Sequence, residues 1–204
     1  MNQFRCEDLS PAENYKFLSG LIIPRAIAWL TTCNQDDLVN AAPFSFFSGV
    51  SNQLPLFSVA ILRVDGKMKD SAKNLLQQKE AVVHLVEEKN LALMNATSKK
   101  YPDTISETAE LNIPLIDSTV ISTPAIALAS VRMESTLYQH IEIKDRNGQI
   151  VTDLFILEAK IFHFADEIFD AEKNYLKLDA LKPVARLAGP NYATLADEIY
   201  LPRP

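Results

Sequence analysis

Residues 24–51 read PRAIAWLTTCNQDDLVNAAPFSFFSGVS. Ile27 to Thr32 are mostly apolar or β-branched and predict a strand, Asn34 to Asp37 supply a turn, and Leu38 to Ala42 resume an extended run. Pro43 has no backbone donor, so it is expected to interrupt that run at a bulge or a sheet edge. Beyond it Ser45, Ser48 and Ser51 bring short hydroxyl side chains into an otherwise aromatic segment. The stretch reads as a strand-turn-strand unit with small polar residues where a ligand can approach.

Around this unit the composition narrows the classes. A chain of 204 residues suits one domain with a large core. The formal charge of -6 and pI near 5.1 argue against an electrostatic nucleic-acid footprint, while leaving room for a local basic patch. Cys6 and Cys33 are the only cysteines, which excludes a disulfide framework and a paired-cysteine zinc motif and makes a reduced, cytoplasmic setting the expectation. The N-terminal MNQFRCEDLSPAENY is too polar and acidic for a signal peptide. The uncharged run from Leu38 to Leu62 has the length of a membrane span, but Asn40, Pro43, Asn52, Gln53 and Pro55 break it, and it is better split into two strands. Neither a membrane nor a nucleic acid is an expected partner.

Along the chain, Leu9 to Leu18 has a short helical pattern, with Ser10 as N-cap and Pro11 at the first helical position. Leu56 to Leu62 predicts a strand, Ser71 to Gln78 a helix, Ala81 to Val86 a strand and Glu87 to Ala96 a further helix. Lys99 to Asn112 is polar, carries Pro102 and reads as a loop long enough to cover a site. Ile126 to Lys144 and Ile150 to Phe164 flank Asn147-Gly148, a strong hairpin signal. Antiparallel strands with short connecting helices favour a β-rich α+β class with a closed or nearly closed barrel. No GxGxxG is present, which disfavours a dinucleotide-binding fold.

The best anion site is Gly66-Lys67-Met68-Lys69-Asp70-Ser71, where a loop with two lysines feeds a helix whose free amides favour a phosphate. Lys69 and Ser71 are the expected contacts; the alternative is a simple helix cap with solvated lysines. Thr31, Thr32 and Cys33 either place hydroxyls and amides beside a planar ligand or form an ordinary threonine-rich edge strand. Cys33 reads equally as a small buried side chain. His84, His140 and His163 fall on three predicted strands, but no His or carboxylate spacing supports a metal site. No Ser-His-Asp order or acid pair stands out, so a bound cofactor would have to supply any chemistry.

Taken in order, Pro24-Arg25-Ala26-Ile27-Ala28 with Thr31-Thr32, Val39 to Phe47 with Val50-Ser51, Lys69-Asp70-Ser71 with Asn74, Met94 to Ser98, and Arg186-Leu187-Ala188-Gly189 with Tyr192 resemble the flavin reductase-like family of FMN-binding split barrels, which includes flavoredoxin-type proteins. The resemblance extends from about Gly20 to Tyr192. It implies a Greek-key split β-barrel with short peripheral helices, a homodimer, and FMN near the dimer interface. It also implies that Lys69, Ser71 and Asn74 serve the phosphate, and that Thr31, Thr32, Cys33, Ser45, Phe46 and Ser48 line the ring and ribityl chain. Asn95, Thr97, Gly189 and Tyr192 are further contacts, acting across the dimer. His84 stands where family members often have Asn, Ser48-Gly49 where they commonly have Asn-Ala, and Ser71 in place of the usual Thr.

The implied function is an FMN-dependent oxidoreductase that accepts hydride from NADH or NADPH and passes electrons to a small-molecule or protein acceptor. The alternatives are a flavin-binding electron carrier or store without a nicotinamide site, and a barrel that binds no flavin.

Overall fold

A computed structural model describes residues 1–202. The helix over Pro11–Leu21 (α1) starts where its sequence dictates: Ser10 Oγ accepts from the Glu13 amide, and the Glu13 carboxylate accepts from Ser10 N–H. The principal strands are β1 (Ala28–Cys33), β2 (Val39–Phe44), β3 (Phe47–Ser51), β4 (Leu56–Leu62), β5 (Glu80–Leu85), β6 (Val131–Lys144) and β7 (Ile150–Phe164). They form one seven-stranded antiparallel sheet in the order β2-β1-β5-β6-β7-β4-β3. Its edge strands, β2 and β3, are separated in sequence by only Ser45 and Phe46. Edges joined by so short a link cannot lie far apart, so the sheet curls upon itself. This is the Greek-key split barrel, in a β-rich α+β chain.

Several local expectations are revised. The run from Leu38 to Leu62 makes three strands rather than two. Pro43 does mark a sheet edge, as expected, but it does not interrupt β2: it sits inside that edge strand, opposite Trp29. An edge strand has one side without ladder partners, where a missing N–H costs nothing. The strand predicted from Ile126 begins at Val131, because Ala125–Ile126 instead bridges Leu115–Ile116. Glu87 to Ala96 is a 3-10 turn over Glu88–Asn90 followed by a short helix over Leu91–Ala96 (α3). The hairpin between β6 and β7 closes as its sequence requires. Gly148 takes φ +82°, its N–H donates to the Asp145 carbonyl, and the Asp145 carboxylate receives the Asn147 and Gln149 amides.

β1 is buried on both faces, and its alternation divides the core. Ala28 and Leu30 point into the barrel with Phe44, Val59, Ile61, Val83, Phe155 and Leu157. The helix over Asp70–Gln78 (α2) plugs that interior with Ala72 and Leu75. Ile27 and Trp29 point outward, into a second cluster with Ala41, Val86, Met94, Ile126 and Val184. Among the described residues no helix is long and apolar enough to cross a membrane.

Candidate functional site

α2 begins without a side-chain cap, because Lys69 occupies the N-cap position and carries no acceptor. Its N-terminus opens onto a cavity of about 440 Å³, lined by Ala42, Pro43 and Phe44 of β2, by Lys67 to Ser71, and by Thr97 to Tyr101. Lys69, Lys99 and Lys100 line the same cavity as this uncapped helix start, the Lys99 ammonium 4.8 Å over the Tyr101 ring. The Lys69 ammonium lies 5.5 Å from the centre of the Phe44 ring. Its pKa is pushed down, first by burial of the charged end and then by Lys100, although the residue as a whole is exposed. Two mutually repelling lysines at a helix N-terminus are relieved by an anion, and this is the feature that fits a phosphate.

Beneath the cavity runs a buried polar chain. Ser71 Oγ donates to Asn40 Oδ1 at 2.7 Å, Thr32 Oγ1 donates to the same oxygen at 3.4 Å, and Asn74 Nδ2 donates to Thr32 Oγ1 at 3.2 Å. Asn40 Nδ2 donates to both oxygens of Glu107, at 2.9 and 2.8 Å, and the Ala41 N–H donates to Glu107 at 3.1 Å. Glu107 opens a one-turn helix (Glu107–Glu110, α4) in the long polar loop, and Ser106 anchors that turn by donating to the Val39 carbonyl at 2.6 Å. Burial pushes the Glu107 carboxyl above the ordinary range, against the hydrogen bonds that favour its charge.

A second cavity of about 180 Å³ shares Pro43, Phe44 and Ser98 with the first and continues to Tyr15, Ile27, Ser45, Met94, Asn95, Arg186 and Tyr192. The two adjoin at Pro43, Phe44 and Ser98, the first flanked by lysines and the second by the rings of Tyr15, Phe44 and Tyr192 together with Arg186, Ser45 and Asn95. Arg25 is buried beside it and donates to the carbonyls of Ser19, Ile22 and Leu187. Its Nε donates to Ser45 Oγ at 3.3 Å, which leaves the Ser45 hydroxyl hydrogen free. Tyr192 belongs to a small hairpin of Val184–Arg186 and Tyr192–Thr194 and donates to Asn95 Oδ1 at 2.9 Å. The Arg186 guanidinium lies 4.5 Å over the Tyr192 ring and donates to the Gly189 carbonyl at 2.6 Å.

The expected residues thus separate. Lys69, Ser71 and Thr97 line the basic end, and Ser45, Asn95 and Tyr192 the aromatic end. The Thr97 hydroxyl is committed on both sides, donating to Met94 O and accepting from Trp29 Nε1, so it anchors the loop rather than offering a donor. Thr32 and Asn74 lie behind Ser71; Asn74 faces a separate cavity of about 140 Å³. Thr31 and Cys33 point to the opposite face of β1 from Thr32, as period-2 alternation requires, and Thr31 donates to Pro124 O at 2.7 Å. Burial raises the Cys33 thiol pKa despite its contact with Thr123. Phe46 packs 6.2 Å from Tyr15, Ser48 is exposed on the β3 edge, and Gly189 turns at φ +60° to receive Arg186. His84 is fully buried behind β1, its Nδ1–H donating to Trp29 O and its Nε2 accepting from Ile126 N–H, both at 2.8 Å. His140 and His163 meet Asp153 and Glu134 instead of each other.

Glu107 and Asn40 were not among the site residues expected. Asn40 stands in a segment already singled out, but nothing in the spacing of the 99–112 loop marks Glu107 as the residue that reaches it.

The donor set fits a flat aromatic group carrying a phosphate: lysines and helix amides at one end, a free hydroxyl and aromatic walls at the other. The sequence matches the flavin reductase like domain over residues 19–178. It is 40% identical to an uncharacterized Bacillus subtilis protein, YwrF, over 201 residues that cover 98% of either chain. The crystal structure of nitrilotriacetate monooxygenase component B from Bacillus cereus superposes with a TM-score of 0.95 at 34% identity, covering 98% of each chain. That of 2-nitrobenzoate 2-nitroreductase from Pseudomonas fluorescens gives 0.89 at 30% identity, covering 100% of this chain and 96% of the other. The chain belongs to the flavin reductase like family.

Proposed function

We propose that this protein is an FMN-dependent oxidoreductase that takes hydride from NADH or NADPH and delivers electrons to a small-molecule or protein acceptor. The observation that carries the reading is the pair of adjoining cavities, basic at the uncapped start of α2 and aromatic toward Tyr192. The redox names of the two solved relatives, a monooxygenase component and a nitroreductase, support it.

Lys69 and the first-turn amides of α2 would hold the phosphate, with Lys99 and Lys100 adding to the field there. Phe44 and Tyr192 would wall the ring, and Ser45, its acceptor side fixed by Arg25, would donate to a ring heteroatom. FMN, when bound, supplies the hydride and electron chemistry. The protein's part is to orient the ring, exclude water from one face and leave the other open, which requires no acid/base pair of side chains. A homodimer belongs to the same proposal. Leu18, Leu21, Ile22 and Ile23 are exposed next to Arg25, and Tyr15, also exposed, borders the aromatic cavity, so a second copy covering them would close the ring end. Sedimentation of the flavin-loaded protein checks this; a monomer at micromolar concentration overturns it.

Anaerobic mixing tests the chemistry. Protein reconstituted with FMN is expected to bleach at its flavin absorbance on addition of NADH or NADPH. An FMN complex that stays yellow with both nucleotides, yet is reduced by dithionite, would indicate a carrier without a nicotinamide site.

A further inference from the structure

The two serines of the adjoining cavities present hydroxyls of opposite polarity. Ser45 accepts from Arg25 and keeps its hydrogen free, whereas Ser71 spends its hydrogen inward on Asn40 Oδ1. The oxygens of an ionised phosphate ester only accept, so a hydroxyl that helps to bind it must donate. The direction of the Ser71 bond is set outside its own helix. An amide can present either end, but an ionised carboxylate can only accept, and Glu107 takes both of its contacts with Asn40 from Nδ2. Asn40 Oδ1 is thereby turned toward Ser71 and Thr32. Glu107 is 7% exposed, comes from a loop distant in sequence, and lines the cavity floor.

Resting on the flavin reading, we propose that Glu107 is a positioning residue that sets the hydrogen-bond polarity of the phosphate end by fixing the Asn40 amide. With Glu107 ionised, the Ser71 hydroxyl faces the cavity as an acceptor, and the phosphate is held by Lys69 and backbone amides. In Glu107→Gln the new amide donates to Asn40 Oδ1, and its oxygen, which in the carboxylate also accepts from Asn40 Nδ2 at 2.8 Å, must move off Asn40 and keep only the Ala41 N–H. The Asn40 amide then turns over, its Nδ2 faces Ser71, and the Ser71 hydrogen is released toward the cavity.

Fluorescence titration with FMN and with riboflavin, which lacks the phosphate, tests this in wild type, Glu107→Gln, Ser71→Ala and the double variant. One added hydrogen bond to a charged group corresponds to roughly tenfold in affinity. Glu107→Gln is therefore expected to tighten FMN about tenfold and leave riboflavin within about twofold. Ser71→Ala should change FMN affinity by less than about threefold in the wild-type background and remove most of the gain in the Glu107→Gln background. A gain that survives Ser71→Ala is relief of charge repulsion and overturns the proposal, as does an equal loss for FMN and riboflavin. Should Glu107→Gln fail to fold, Ser71→Ala alone decides: a tenfold, FMN-specific loss means that Ser71 already donates, and the assignment falls. Wild-type protein that binds neither flavin defeats the flavin reading and this inference together, whereas normal binding without coupling between positions 107 and 71 defeats only the inference.

Discussion

Glu107 and Asp153 are both buried carboxylates, and they sit in opposite electrostatic situations. Asp153, on β7, receives Arg63 Nε and a terminal guanidinium nitrogen at 2.8 and 2.9 Å and faces His140 Nε2 at 3.0 Å. Burial opposes its charge, but Arg63 and His140 outweigh burial and hold the pKa below the ordinary value. The partners of Glu107 are an amide side chain and a backbone N–H, all neutral, and burial wins. One carboxylate has its charge balanced by Arg63, just past the end of β4, and by His140 across the β6–β7 hairpin; the other is held by neutral donors alone, on the floor of a cavity that Lys69, Lys99 and Lys100 also line. Satisfied charge builds the barrel, and unsatisfied charge marks the site.

The largest effect should come from breaking the closed region. Asp153→Ala leaves Arg63 without its partner and is expected to destabilise the fold by about 3–5 kcal/mol in urea unfolding, with unchanged FMN affinity in the surviving folded protein. A variant as stable as wild type would remove the contrast. Next is His84, closed but uncharged. Desolvation lowers its pKa to about 4, against the Trp29 carbonyl, which favours the proton, and with Arg132 adding to the decrease. Between pH 6.5 and about 4 the unfolded chain therefore binds the proton and the folded chain does not. The contribution is fully present above the unfolded value and is lost as pH falls toward 4, on the order of 3 kcal/mol. Unfolding free energy should fall more steeply across that window in wild type than in His84→Asn; parallel curves would contradict it.

On the open side, Lys69→Ala is expected to weaken FMN about tenfold, roughly 1.4 kcal/mol, with riboflavin little changed and stability within about 0.5 kcal/mol. Equal weakening of both flavins would move the phosphate away from α2. Smallest is Tyr192→Phe, which removes the bond to Asn95 at an exposed position and should cost less than about 1 kcal/mol in thermal unfolding. A larger loss would make the cavity beside Tyr192 structural.

Much of the barrel is legible locally. Ser10-Pro11 and Glu13 write the start of α1, and Asp145 with Gly148 writes the hairpin of β6 and β7. The lysine pair before α2 is likewise a contiguous pattern, and it lies at a helix start that has no side-chain cap. Thr31, Thr32 and Cys33 show where such reading stops. Adjacent residues in a strand point to opposite faces, so the three could not line one site together. β1 is buried on both sides, and no hydrophobic alternation in its sequence tells the faces apart. Pro43 is the same lesson in the backbone: whether it breaks a strand depends on that strand being an edge, a property of the sheet and not of the strand.

By itself, then, the sequence determined the class, the barrel, the family and the lysine pair that precedes α2, because caps, turns and ordered motifs act over a few residues. Only the tertiary structure decided which face of β1 meets the site, that His84 belongs to the core, and that Glu107 reaches Asn40 from across the chain. Hydrogen-bond polarity and the balance of buried charge are settled by neighbours in space, and 67 residues separate Asn40 from the carboxylate that orients it.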